Sequence, residues 1–349
     1  FTNTALDDIL QATIQGHPQQ TEEKMIARYH TGKLVKDGEE EILPRKFLQC
    51  PVKLIDEINR LDPDKWSILL RLIDTGTATY GDALLKAIPG PLFATANYTD
   101  AGTFDLPPPG LDRFDVAAVV TSPQPWDMEQ IYARSDEKLN GTLDKLLQIP
   151  DELRLDHEAI RSQIKSLPEA TDYDAPIVSS FADFVYSELR FSEIASDNLA
   201  RGTKGNAWQV DQQKAPPGHF VDAPFTYAIN ELSVRTAKAM MRYAKAFAWF
   251  KGKEKVEIDD LRTVLPYILW HKLQPTEKSL VENKKFANDR ISWVEGLVAK
   301  VENDYMEMQG SEAWKQYGAT MNALRTGKIK DKNLTDDEIR KVAGTAIRK

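Results

Sequence analysis

Three short apolar runs, at 52–55, 91–96 and 116–120, interrupt a chain whose other hydrophobic positions recur mostly with helical spacing. Runs of this kind, apolar without alternation, suit strands covered on both faces, as in a parallel sheet. Between the first two, Asp62-Pro63-Asp64 offers an N-cap and a first-turn proline. Trp66, Leu69, Leu70 and Ile73 follow at i, i+3, i+4 and i+7 up to Gly76, which predicts a helix with one buried face. Two hairpins are predicted to project from this α/β core. One pairs 30–35 with 39–43 around Lys36-Asp37-Gly38. The other turns at Gly81-Asp82, in the less favoured Gly-first order, between Ala78-Thr79-Tyr80 and Leu84-Leu85-Lys86.

From residue 127 onward the pattern is helical, with segments around 127–139, 142–148, 156–166 and 177–195. The stretch 198–224, rich in Gly, Pro, Lys, Gln and Asp, reads as an irregular insertion. Ser233 can cap a helix whose stripe is Val234, Ala237, Met241, Ala244 and Ala248, ending near Gly252. Another helix starts near Asp259, with Leu261, Val264, Leu265, Ile268 and Leu269 on one side and Pro266 bending it. Residues 280–349 are helical and charged, and Thr335-Asp336-Asp337-Glu338 opens their last segment. These shifts divide the chain into an α/β core at 1–126, a helical domain at 127–279 and a helical extension at 280–349.

At 349 residues and 39.4 kDa, with 42% hydrophobic and 28% charged positions, the chain has room for about two to three domains with cores of their own. No uninterrupted apolar run approaches the roughly 18 residues of a membrane-spanning helix. A net charge of −8 weighs against nucleic-acid binding over the whole surface, though a local basic channel survives that argument. Cys50 is the one cysteine and no Cys/His spacing resembles a zinc site, so a reducing, cytoplasmic compartment is expected. The chain opens at Phe1 with neither a basic n-region nor an apolar h-region, and it is expected to start inside a longer protein.

The candidate chemistry begins where Val52-Lys53-Leu54-Ile55 runs into Asp56-Glu57-Ile58-Asn59-Arg60, an apolar strand ending in two adjacent carboxylates. In open α/β sheets the carboxyl ends of the strands line the ligand crevice. One acid there can hold Mg²⁺ while its neighbour orients or deprotonates an attacking water. Taken alone, the pair reads equally well as the solvated start of a loop. The second apolar run, however, ends at Asn97, an amide that can orient water and bond a γ-phosphate without adding charge. Arg113 precedes the third run, where a guanidinium at a subunit boundary would neutralise charge developing in phosphoryl transfer. Arg235 falls in the first turn of the helix capped by Ser233, where the helix dipole disfavours a cation unless a phosphate arrives. Each arginine singly is readily a surface salt bridge; the ordered set weakens that reading.

These stretches together resemble the MoxR-type AAA+ ATPases. The resemblance lies in Leu54-Ile55-Asp56-Glu57-Ile58-Asn59-Arg60, in Ala94-Thr95-Ala96-Asn97 through Gly102-Thr103-Phe104-Asp105-Leu106-Pro107, in Leu111-Asp112-Arg113-Phe114, and in Ser233-Val234-Arg235-Thr236-Ala237-Lys238-Ala239. It spans residues 1–275 or so. It implies an AAA+ αβα core with a parallel sheet, lacking its N-terminal P-loop part, followed by an all-α lid and the helical extension. It further implies a Walker B pair at Asp56 and Glu57, with Asp56 serving Mg²⁺, a sensor 1 at Asn97, an arginine finger at Arg113 and a sensor 2 at Arg235. Both arginines are expected to act on the ATP of a neighbouring subunit. The hairpins at 30–43 and 78–88 correspond to the family's helix-2 insert and pre-sensor-1 hairpin, which face the pore of related rings. A hexameric homo-oligomer, a von Willebrand factor A domain partner and a protein client matured by a chaperone action complete what the family implies.

One family motif is absent. A P-loop needs G-x-x-x-x-G-K-[ST] to cradle phosphates. Gly32-Lys33 is followed by Leu34 and has Ala27 where the first glycine belongs, Gly252-Lys253 is followed by Glu254, and Gly327-Lys328 by Ile329. Thr2-Asn3-Thr4 resembles a family segment beyond the P-loop, which is therefore expected upstream of Phe1. The 349 residues alone are then expected to be inactive, and the full-length protein an ATP hydrolase. An interaction scaffold that kept the AAA+ shape and lost the P-loop is the rival reading, and keeping all five phosphate-facing groups argues against it. A DNA-linked motor is disfavoured by the net charge and by the acidic Glu39-Glu40-Glu41 hairpin. The five histidines share no ligand spacing, Ser179-Ser180 has no nucleophile elbow, and Trp249-Phe250 and Trp270 are expected in the lid core.

Overall fold

The apolar run at 52–55 becomes a strand with a parallel neighbour on each side. The computed structural model describes residues 6–97, 104–134, 157–172, 175–192, 202–203, 232–275, 279, 281 and 289–309. The chain divides into two units, Phe1–Arg113 with Val120–His157, and Phe114–Val119 with Glu158–Lys349. The first unit contains, in order, α1 (Leu6–Gln11), β1 (Thr13–Gln15), α2 (Glu22–Met25), β2 (Ala27–Tyr29), α3 (Thr31–Asp37), β3 (Ile42–Pro44), α4 (Lys46–Gln49), β4 (Lys53–Asp56), α5 (Trp66–Thr75), β5 (Thr77–Tyr80), β6 (Ala83–Lys86), β7 (Leu92–Ala94), α6 (Pro108–Arg113) and α7 (Pro125–Arg134).

Its central sheet has the order β1–β4–β7 and is parallel throughout, with Ile14 beside Ile55 and Ile55 beside Ala94. Ile14 and Ile55 are buried, as a strand covered on both faces requires. β1 was not marked by any apolar run, since Thr13-Ile14-Gln15 carries one hydrophobic residue. Lys53 is also buried. Its Nζ donates to the carbonyls of Cys50 at 2.8 Å and Ile88 at 2.5 Å, and burial pushes its pKa below the ordinary lysine value. α5 buries Trp66, Leu69 and Leu72, with Leu70 and Ile73 half-buried beside them, and stops at Gly76.

The two projections differ from each other. β5 and β6 form the expected hairpin, with Tyr80 opposite Ala83 and only Gly81-Asp82 between them. Gly81 has φ +53° while Asp82 is not among the positive-φ residues, the pattern of a type II′ turn, which wants glycine first. The other projection is not a plain hairpin. β2 and β3 pair antiparallel at its base, but the expected strand at 30–35 is the helix α3. The His30 side chain accepts the Lys33 N–H at 3.0 Å and so caps α3, and Gly38 ends it in the left-handed conformation rather than turning a hairpin. No residue of α3 is buried. Lys33 bonds Glu41 at 2.9 Å and holds its carboxyl below the usual range. The two projections meet where the Tyr29 and Tyr80 rings lie 5.3 Å apart, and a Cβ on Gly81 would stand 2.5 Å from the Tyr29 hydroxyl.

The second unit is helical: α8 (His157–Ser166), α9 (Ile177–Arg190), α10 (Val234–Phe250), α11 (Ile258–Leu269) and α12 (Arg290–Gln309). Its core joins Phe181, Val185 and Leu189 of α9, Met240 and Ala244 of α10, Leu261, Leu265 and Ile268 of α11, and Val294, Val301 and Tyr305 of α12. Tyr305 packs against the rings of Phe181 and Phe184 and donates to the Ile177 carbonyl at 3.0 Å. α10 is rotated from its expected stripe. Thr236, Met240, Ala244 and Ala248 face inward, and Val234 is 56% exposed. Phe250 is 80% exposed and is not a core residue. Trp249 is half-buried, its indole N–H on Gln163 at 2.9 Å, and Trp270 packs at the core's edge.

The run at 116–120 is not a strand. Residues 114–119 instead strap the helical unit: Ala117 N–H donates to the Tyr267 carbonyl at 3.0 Å, and Trp270 Nε1–H to the Ala117 carbonyl at 2.8 Å. His271 Nε2 lies 2.9 Å from the Phe114 carbonyl, and Arg242 pairs with Asp115 at 2.7 Å. The strap's backbone thus finds partners at a helix end instead of in a sheet ladder. The segments expected at 142–148 and from 335 onward, and all of 198–224 but 202–203, lie outside the described residues. No helix among the described residues is long and apolar enough to cross a membrane.

Candidate functional site

Asp56 is the last residue of β4, and the chain leaves the sheet at Glu57 with φ 50° and ψ 49°. Glu57 is the one non-glycine residue with positive φ among those described. That left-handed conformation costs a side-chain-bearing residue roughly 1–2 kcal/mol, so surrounding bonds must hold it.

They come from β7 and β1. Thr95, just past β7, accepts the Glu57 N–H on its Oγ1 at 2.8 Å and the Ile58 N–H on its carbonyl oxygen at 2.8 Å. The same hydroxyl donates to Asp56 Oδ1 at 2.6 Å. A hydrogen bond to a charged group contributes about 1.5–3 kcal/mol, enough with its companions to outweigh the backbone strain. From the other side, Gly16 N–H donates to the Asp56 carbonyl at 2.7 Å, and a Cβ on Gly16 would lie 2.0 Å from the Glu57 carbonyl oxygen. Only glycine permits so close an approach. The Glu57 carboxylate is half-buried and faces Gln15 Nε2 and Arg60, each at 3.4 Å.

Asn97 is held to the same strand ends. The Asn59 side chain, 1% exposed, donates to the Asn97 carbonyl at 2.9 Å and accepts the Asn97 N–H at 3.3 Å. Asp56, Glu57 and Asn97 therefore converge at the carboxyl ends of two adjacent parallel strands, where Asn97 itself is exposed. The arginines sit on other elements. Arg113 ends α6 and bonds Asp74 of α5 through Nε at 3.0 Å and Nη2 at 2.5 Å, and the Pro109 carbonyl at 2.6 Å. Arg235 stands half-buried in the first turn of α10, behind Ser233, whose Oγ accepts the Thr236 N–H at 3.3 Å.

The donor set is made of hard oxygens. Asp56 and Glu57 are adjacent, and no group of three metal-ligating side chains occurs among the described residues. Paired carboxylates suit Mg²⁺, which keeps waters and takes one or two carboxylates plus substrate phosphates. Thr95, Asn59 and Gly16 brace the site without having been singled out for it in the sequence. No local signal marks them: Asn59 lies in the turn after β4, and Thr95 acts on Asp56 across 39 residues through strand register.

The model of the AAA lid domain family matches residues 230–291. Among solved structures, the chain is similar to that of a "putative ATPase" from Cytophaga hutchinsonii, with a TM-score of 0.54 and 19% sequence identity, over 80% of this chain and 76% of that one. Comparison with curated proteins gave no match. The parallel sheet, the helical second unit and these two likenesses define an α/β AAA+ fold with an AAA lid domain.

Proposed function

We propose that this chain is the Walker B and lid portion of a MoxR-type AAA+ ATPase, which hydrolyses ATP in a hexameric ring and uses the turnover to remodel or mature a protein client. The observation that carries the reading is the hydrogen-bonded convergence of Asp56, Glu57 and Asn97 at the carboxyl ends of parallel strands in an AAA+ fold. Glu57 takes the proton of the attacking water as its oxygen bonds to the γ-phosphorus and the bridging P–O bond to ADP breaks. Asn97 orients that water and bonds the γ-phosphate. Asp56 would hold Mg²⁺, which when bound neutralises charge on the β- and γ-phosphate oxygens. Arg113 and Arg235 serve the nucleotide of an adjoining subunit; for Arg113 this means exchanging Asp74 for phosphate, another anionic partner suited to a guanidinium. The phosphate cradle of such an ATPase, a G-x-x-x-x-G-K-[ST] loop, is not among these 349 residues. The α3 projection and the β5–β6 hairpin face the pore and the client, and a von Willebrand factor A domain protein is the expected partner.

In the full-length protein, Glu57→Gln should retain ATP binding and lose about 100-fold or more of turnover, the range for removing a positioned base. Steady-state hydrolysis and equilibrium binding of ATP check this. Unchanged turnover ends the assignment, and a wild type that binds partners with no turnover at all favours the scaffold reading instead.

A further inference from the structure

We propose that Thr95 is a positioning residue for hydrolysis: its hydroxyl holds Glu57 in the left-handed backbone conformation that aims the carboxylate. The inference rests on the reading of Glu57 as the base. Thr95 is exposed, and nothing about packing demands a hydroxyl there. Yet that one oxygen makes two bonds of opposite sense. Its proton is committed to Asp56 Oδ1 at 2.6 Å, which leaves its lone pair to receive the Glu57 N–H at 2.8 Å. A hydroxyl can donate and accept at once, whereas a methyl of the same shape can do neither.

The arrangement fixes two consecutive residues by different parts. Thr95 grips Asp56 by its side chain and Glu57 by its backbone, so the Mg²⁺-facing acid and the base share one reference point just past β7. Gly16 closes the opposite side, because the Glu57 carbonyl already occupies the space a side chain there would need. Without the hydroxyl, the Glu57 N–H loses its acceptor and the backbone is released from the left-handed region toward negative φ. That rotation carries the carboxylate away from the water it addresses. The Asp56 position is affected less, because the Gly16 bond to its carbonyl and the β4 ladder remain.

The test uses the full-length ATPase with Thr95→Val, which keeps shape, and Thr95→Ser, which keeps the hydroxyl. Thr95→Val should lower kcat by about 100-fold, the scale of a small misplacement of a reacting group. The KM for ATP and the Mg²⁺ concentration for half-maximal rate should stay within about threefold, the mark of an interaction used in the transition state. Thr95→Ser should recover most of kcat, and Thr95→Ala, which an exposed site accommodates, should repeat the loss. If Glu57→Gln is inactive while Thr95→Val turns over like wild type, the positioning role falls and the base stands. A loss of ATP affinity in step with kcat, not recovered by serine, would make Thr95 merely structural and also overturn it. If Glu57→Gln remains active, both assignments fall together.

Discussion

Glu57 adopts a backbone conformation that its own side chain opposes, and the bonds of Thr95 and the close approach of Gly16 keep it there. Strain of this kind is what a site accepts when direction matters more than local comfort. Glu57→Gly should therefore raise stability by about 1 kcal/mol, since glycine enters the left-handed region without steric cost, while abolishing turnover. Urea denaturation beside an ATPase assay checks both halves. The placement of Asp56, Glu57 and Asn97 at neighbouring strand ends was legible in the sequence because each is a polar residue ending an apolar run. Thr95 and Asn59 were not, because their roles come from strand register: Thr95 is 39 residues from Asp56, and Asn59 is 38 from Asn97. No local pattern tells that two such positions will lie side by side.

Among the elements, the two projections show how local chemistry divides between readable and hidden. The β5–β6 hairpin was legible from Gly81-Asp82, and the structure explains the residue order through the type II′ turn. The other was legible only in its returning strand, for β2 at 27–29 precedes the expected 30–35, Lys36-Asp37-Gly38 suits the end of a helix as well as a turn, and the His30 cap on the Lys33 N–H settles the matter. Their junction at Tyr29, Tyr80 and Gly81 was invisible in either segment alone. Gly81→Ala should cost about 1–2 kcal/mol through its positive φ, with a further loss as the new methyl displaces the Tyr29 hydroxyl. Adding Tyr29→Phe removes the clashing oxygen and should restore the second part only. Denaturation of the single and double variants separates the two contributions.

At the scale of the whole molecule, the sequence showed an α/β half and a helical half but not how the chain is shared between them. The run at 116–120 is as apolar as a buried strand, and apolarity cannot say which surface will satisfy its backbone. Here the partners are the Tyr267 carbonyl and the Trp270 indole, some 150 residues on. The chain consequently passes between its units at 113/114, 119/120 and 157/158. Arg113 is the last residue before the first of these passages, so the candidate finger and the strap are covalent neighbours.

The strap has a practical meaning for anyone wishing to graft this helical module onto another protein. A transplant cut at 157/158 alone would leave the Trp270 indole and the Tyr267 carbonyl facing water, so the cassette is two pieces rather than one. A chimera in which 114–119 is spliced ahead of 158–309 by a short linker should be about 1–2 kcal/mol more stable than 158–309 by itself, the net worth of a few hydrogen bonds. Equal denaturation midpoints would show that the module is separable at a single seam after all.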